Sequence, residues 1–181
     1  MGFQTELDDR LESFIAEQEL YFVATSPLEG RVNLSPKGID SFRIFGRQTV
    51  AYLDLTGSGN ETAAHLLENP RLTIMFCSFG KSPLILRLYG TARSIKPADS
   101  EWEELYSRFV PHPSARQIFV LDFDSVQTSC GFGVPMYDFV GERDTMQTWA
   151  EKKGPEGVRT YWKERNVESI DGKPTGIVVD K

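Results

Sequence analysis

The sequence predicts a mainly β, α+β protein, an antiparallel β-barrel of short strands with helices packed outside it. Two observations carry the prediction. Short β-rich runs bounded by Gly, Pro, Ser and Asn follow one another from Tyr21 to Arg93. The helical patterns are few and separated, so the sequence lacks the strict strand–helix alternation of a parallel sheet.

Taken in order, Leu7, Leu11, Phe14 and Ile15 recur at helical spacing, and Thr5 with Asp8 three residues on is expected to cap that first helix. Tyr21–Thr25 and Arg31–Ser35, separated by Ser26-Pro27 and Glu29-Gly30, read as a hairpin. Phe42–Phe45 and Thr49–Leu55 repeat the pattern around Gly46. A helix from Glu61 to Asn69 stops before Pro70, and the strands Leu72–Cys77 and Leu84–Tyr89 follow, the second with a Gly90 that suits a bend or bulge. Six strands are thus expected by Arg93.

Ser100 with Glu103 predicts a capping box ahead of Trp102, Leu105, Tyr106 and Phe109 on one helical face. Gln117–Phe123 is one more strand, near-continuously apolar and so expected to be buried on both faces. Asp144 with Gln147 opens a C-terminal helix carrying Met146 and Trp149, and Val158, Tyr161 and Trp162 mark another. The turn-rich segment from Ser169 is expected to be loose. The organisation is therefore a barrel domain with its N-terminal helix over residues 1–143, and a helical extension with a loose tail over 144–181.

A length of 181 residues suits one core, and 40% apolar with 25% charged residues is an ordinary globular composition. A net charge of −6 argues against nucleic acid as a partner, because that affinity comes from basic residues replacing counterions. No apolar run reaches about 18 residues, so no membrane partner is expected. The acidic N-terminus lacks the pattern of a secretion signal, and Glu6 stands where an acylation motif wants Ser or Thr. With two cysteines only, Cys77 and Cys130, a cytoplasmic location is expected.

The most informative stretch is LDLTGSGNETAAHL, from Leu53 to Leu66. Ser58 and Glu61 have capping-box spacing, which needs no ligand. Gly57 and Gly59 also let the backbone approach a bound group closely, and the following helix aims free N–H groups at the loop, as a phosphate would require. Neither G-x-x-x-x-G-K-[ST] nor G-x-G-x-x-G is present, which excludes the usual nucleoside triphosphate and dinucleotide loops. Between Arg31 and Arg93 eight basic residues face four acidic ones, so a protein of net −6 concentrates positive charge in its barrel half. A small anionic ligand would use that asymmetry, and so would strand edges guarding against aggregation. Arg87 shares a strand face with Ile85 and Tyr89 and needs an anion; Asp54 is its expected protein partner if no ligand serves.

Other chemistry finds little footing. His65 and His112 have no Cys, His or acid at ligand spacing, so no metal site is expected. No G-x-S-x-G motif marks a serine nucleophile. Cys77 reads as a small buried hydrophobe. Cys130, in Cys-Gly-Phe-Gly-Val-Pro, stands either in a structural turn or beside a ligand, and Phe132 and Tyr137 either close a pocket or join a core or dimer contact.

The segments VATSPLEGRVNLSPKG, VAYLDLTGSGNETAAHLLENPRLTIMF and LILRLYGTAR together resemble the pyridoxamine 5′-phosphate oxidase-like family, over about Phe14 to Arg93. CGFGVPMYDFVGER from Cys130 is similar to a segment of one branch of that family. The resemblance implies a six-stranded antiparallel split barrel, a homodimer, and flavin mononucleotide (FMN) in a groove between subunits. It implies that Asn33, Leu34, Ser35 and Lys37 run along the flavin ring. Leu55, Thr56, Ser58, Gly59, Asn60, Glu61 and Thr62 would meet the ribityl phosphate, and Arg87 would add charge. Asn60-Glu61 stands where the oxidases proper carry an Arg-Lys pair, so Glu61 is expected to turn back into the capping role while amides, Ser58, Thr62 and Lys37 or Arg87 compensate. The C-terminal Arg- and His-containing pattern with which the oxidases grip pyridoxamine phosphate is not recognisable. The function implied is an FMN-binding flavoprotein, an oxidoreductase on a small-molecule substrate that differs from the true oxidase. The alternative is a non-enzymatic module that binds or senses flavin, haem or deazaflavin on the same fold.

Overall fold

The computed structural model describes residues 2–177. Its strands are β1 (Gly2–Gln4), β2 (Tyr21–Thr25), β3 (Asn33–Lys37), β4 (Phe42–Gly46), β5 (Thr49–Leu55), β6 (Arg71–Cys77), β7 (Ile85–Ile95) and β8 (Ala115–Ser129). They form one antiparallel sheet in the order β3-β2-β6-β7-β8-β5-β4, with β1 also on β8. The seven strands read from the sequence are all present and β1 is an eighth, where the resemblance implies six; Gln117–Phe123 extends at both ends into the 15-residue β8, which pairs with β5, β7 and β1. The expected hairpins are β2–β3 and β4–β5.

The helices are α1 (Asp9–Ala16), α2 (Glu61–Leu66), α3 (Trp102–Tyr106) and α4 (Thr145–Arg165). Gly154, at φ 66°, breaks α4 into two helical pieces just before Pro155. None of these helices is long and apolar enough to cross a membrane.

Apolar alternation explains how the sheet is covered. On β5, Val50 and Tyr52 enter the main core with Ile74, Leu88 and Phe119, whereas Ala51 and Leu53 enter a second core with Trp102, Phe109 and Ile118. Both faces are therefore dry along most of β5 and over Arg116–Leu121 of β8, which is why Gln117–Phe123 reads as near-continuously apolar, with Asp122 exposed beyond the dry part. The residues of α1 that enter the main core are Leu11 and Ile15.

The side-chain capping expectations fail, each to a competing hydrogen bond. Asp8, rather than Thr5, caps α1, its carboxylate accepting from the Leu11 amide at 2.8 Å. Ser58 does not cap α2: the N-cap is Asn60, without a bond from its side group, and Glu61 accepts instead from the Ile170 amide at 3.1 Å. The Ser100 box does not form either, because α3 starts at Trp102 and Asp99 holds the turn through the Lys96 amide at 2.7 Å. Asp144 is the N-cap of α4 as expected, its carbonyl accepting from the Thr148 amide at 2.9 Å, but its carboxylate makes no cap bond and Gln147 bonds Glu151. The segment after α4 is not loose: Thr175 is buried, its hydroxyl bonds the Asn166 carbonyl at 2.6 Å, and Asp171 holds Arg31.

Candidate functional site

A cavity of about 860 Å³, within the range of small-molecule sites, opens between β3, the loop from Gly57 to Asn60, α2 and the segment that follows α4. Asn33, Leu34, Ser35 and Lys37 form one wall, and Ser58, Gly59, Asn60, Glu61 and Thr62 form the facing one. Two distant stretches singled out in the sequence thus share one space. Asn33 reaches across to Thr62, Nδ2 to Oγ1 at 3.4 Å.

Three sequence-predicted residues lie outside it. Leu55 packs on the second core, and Thr56 is buried, its hydroxyl donating to the Ser114 carbonyl at 2.9 Å and accepting from Trp162 Nε1 at 2.8 Å. Arg87, on β7, contacts Ser129 Oγ at 3.3 Å. Its expected partnership with Asp54 does not form, because Asp54 is taken by Arg116 and Lys37.

That ion pair is the floor of the site. The Asp54 and Arg116 side chains are each 3% exposed, with Nη2 to Oδ2 at 2.7 Å and Nε to Oδ2 at 3.1 Å. Lys37 adds a contact at 3.1 Å and Gln117 Nε2 one at 2.8 Å. Burial alone would push the Asp54 carboxyl up; Arg116 and Lys37, helped by the hydrogen bonds from Gln117 and Arg116, hold it down to about 2. The carboxylate stays charged, and its four bonds offset the cost of burying it.

A bulge aims Arg116 inward. The β5–β8 register runs from Asp54↔Gln117 to Leu55↔Ala115, so Arg116 is an extra residue on β8. Its Nη1 then reaches the Gly59 carbonyl at 3.1 Å and Asn166 Oδ1 at 2.7 Å. Asn166, completely buried, donates Nδ2 to the Gly57 carbonyl at 3.1 Å. Sequence reasoning missed Arg116, Asn166 and the wall formed by Arg165, Glu168, Ser169 and Ile170. An Arg-Gln pair heading an apolar strand was the available signal for the first.

The charge around the cavity is largely satisfied. Arg31 is paired with Asp171, Lys37 and Arg116 with Asp54, and the Glu61 carboxylate is turned to Ile170. Among the described residues Arg165 has no ion-pair partner, and it shares the rim with Glu164 and Glu168. No group of three metal-binding side chains occurs among the described residues. His65 Nδ1 bonds Thr25 Oγ1 at 2.9 Å, and His112 Nδ1 bonds Ser114 Oγ at 2.8 Å.

An eight-stranded antiparallel sheet with helical extensions and a polar cavity between β3 and the β5–α2 loop defines the class of fold, a split β-barrel. The chain belongs to the pyridoxamine 5′-phosphate oxidase family, whose sequence model matches residues 7–130. It is 42% identical over 148 residues to the pyridoxamine 5′-phosphate oxidase family protein ustO of Aspergillus flavus, a match covering 79% of this chain and 59% of that protein. The chain therefore spans little more than half of that relative. Among solved structures, HupZ of Group A Streptococcus is similar with a TM-score of 0.54 at 18% identity, covering 73% of this chain and 99% of that one. A putative pyridoxamine 5′-phosphate oxidase from Lactobacillus delbrueckii gives 0.53 at 16% identity, covering 68% and 99%. At these identities the likeness is one of fold.

Proposed function

We propose that this protein binds FMN in the cavity between β3 and the loop from Gly57 to Asn60 and acts as an oxidoreductase on a small molecule. One observation carries the reading: of the two segments that family resemblance assigns to the flavin ring and to its phosphate, Asn33–Lys37 and Leu55–Thr62, all but Pro36, Leu55 and Thr56 face each other across one cavity. The donor set fits the group. Lys37 and Asn33 offer polar contacts along a ring, and Ser58, Thr62 and loop amides suit a phosphate. Bound flavin would supply hydride or electron transfer, with the protein binding and orienting it.

The same resemblance implies a homodimer with the flavin at its interface. Val32 and Leu34, 71% and 64% exposed at the cavity rim, are apolar surface that a second copy would cover. The free cysteines Cys77 and Cys130 suit a reducing, cytoplasmic setting.

A binding-only reading draws on Asn60 and Glu61, whose side groups are committed to Gln117 and Ile170 and so leave the phosphate to backbone groups. Turnover separates the two readings. Protein incubated with FMN and desalted is expected to retain the flavin absorbance bands, to bleach with dithionite and to recover them in air. Steady-state oxidation of an added electron donor supports the enzyme, and retention without any turnover supports the binding module. A colourless eluate contradicts both.

A further inference from the structure

We propose that Asn166 and Arg116 are positioning residues that set the phosphate preference of this cavity by holding two glycine carbonyls out of it; the inference rests on the flavin reading above. The Gly57-Ser58-Gly59 loop has almost no side chains, so its character depends on which backbone groups it presents. A carbonyl oxygen facing the cavity repels an anion, and an amide N–H attracts one.

Both glycine carbonyls are drawn into the protein. The Gly57 oxygen accepts from Asn166 Nδ2 at 3.1 Å, and the Gly59 oxygen accepts from Arg116 Nη1 at 3.1 Å. Among the described residues the N–H groups of Gly57, Ser58, Gly59 and Asn60 have no acceptor, and all four residues line the cavity. The carbonyls are spent and the amides are free.

The two clamping groups fix one another. Asp54 grips two nitrogens of Arg116, and the same Nη1 that holds Gly59 also donates to Asn166 Oδ1 at 2.7 Å. With its oxygen occupied, the Asn166 amide has only its NH₂ group to turn toward Gly57. The Asn166 backbone carbonyl is held independently by the Thr175 hydroxyl at 2.6 Å and Asn60 Nδ2 at 3.4 Å. Asn166 ends α4, so the C-terminal extension governs a loop more than a hundred positions earlier in the sequence.

The test compares FMN with riboflavin, which shares the ring and the ribityl group and lacks the phosphate. Dissociation constants for both are measured by flavin fluorescence on the full-length protein, with folding checked by circular dichroism. In Asn166→Ala, FMN affinity is expected to fall about tenfold, the equivalent of one charge-assisted hydrogen bond, while riboflavin affinity changes less than about twofold. Thr175→Val loosens the same segment without removing either clamping donor, and its FMN-to-riboflavin ratio is expected to match the wild type. Should Asn166→Ala not fold, Arg116→Lys keeps the charge beside Asp54 and loses the forked reach to Gly59; the same shift in ratio is expected. An unchanged ratio in the folded variant, or a shift of equal size in Thr175→Val, overturns the clamp. Wild-type protein that binds neither ligand overturns the flavin reading itself, which is a different result from wild-type binding with an unchanged ratio.

Discussion

His65 shows how much a single residue in this molecule depends on its surroundings. It lies on α2, 1% exposed, with Nδ1 bonded to Thr25 and Nε2 buried without a partner among the described residues. Burial lowers its pKa, although Glu61, Asp171 and Glu68 nearby favour the charged ring. A histidine whose folded pKa lies below its unfolded value of about 6.5 contributes its full stability above that value and loses it as pH falls through the window below. Thermal stability is therefore expected to drop between about pH 7 and pH 5. In His65→Asn, whose amide reaches Thr25 without a titrating ring, the drop should be shallower; a slope identical to the wild type would assign the effect to other groups.

The candidate site residues legible in the sequence were those on loops and strand ends: Ser58 and Glu61 stand out by spacing, and Lys37 through the family resemblance. Arg116 was not legible, because its inward aim depends on a one-residue bulge opposite Asp54 that no local pattern marks. Glu61 illustrates the converse. Its spacing from Ser58 was right for a capping box, and a tail amide more than a hundred residues away captured the carboxylate instead.

At the scale of elements, β2 to β6 emerge close to the boundaries that alternation predicts: β2, β5 and β6 each have a buried face that fixes their register, and β3 and β4 follow by hairpin pairing with β2 and β5. Two helix starts, Glu61 and the residue after Asp144, were read correctly, whereas the side-chain caps were not, since caps are decided by single hydrogen bonds that tertiary partners outbid. Gly90 was read well. The β7–β8 register slips between Tyr89 and Gly90, and a Cβ at position 90 would run into the Asp122 carbonyl and the Phe123 backbone. Those are backbone atoms in the central strand pair, which cannot step aside as a flexible side group would. Gly90→Ala is expected to cost about 1–3 kcal/mol, read as a lower urea midpoint at unchanged slope. A midpoint equal to the wild type would mean that the two strands slide apart freely at the bulge.

At the scale of the whole molecule, the extension after residue 144 is the main departure from expectation. Its segment from Ser169 reads as loose from its turn-rich composition, yet Ile170 bonds Glu61, Lys173 pairs with Glu68 and Thr175 bonds the Asn166 carbonyl, while Trp162 and Asn166 tie the helical part to the β5–α2 loop. Composition reports what a segment could do in isolation, and these anchors lie elsewhere in the sequence. The result is a cavity with walls from β3, the loop from Gly57 to Asn60, and the segment following α4, over a buried Asp54–Arg116 pair. Whether this cavity holds FMN is tested most directly by a crystal structure of the protein grown with FMN. The flavin ring is expected beside Asn33–Lys37 and the phosphate within hydrogen-bond distance of the Ser58 to Asn60 amides. Flavin density elsewhere, for instance in the apolar groove between α1 and β4, with this cavity empty, would contradict it.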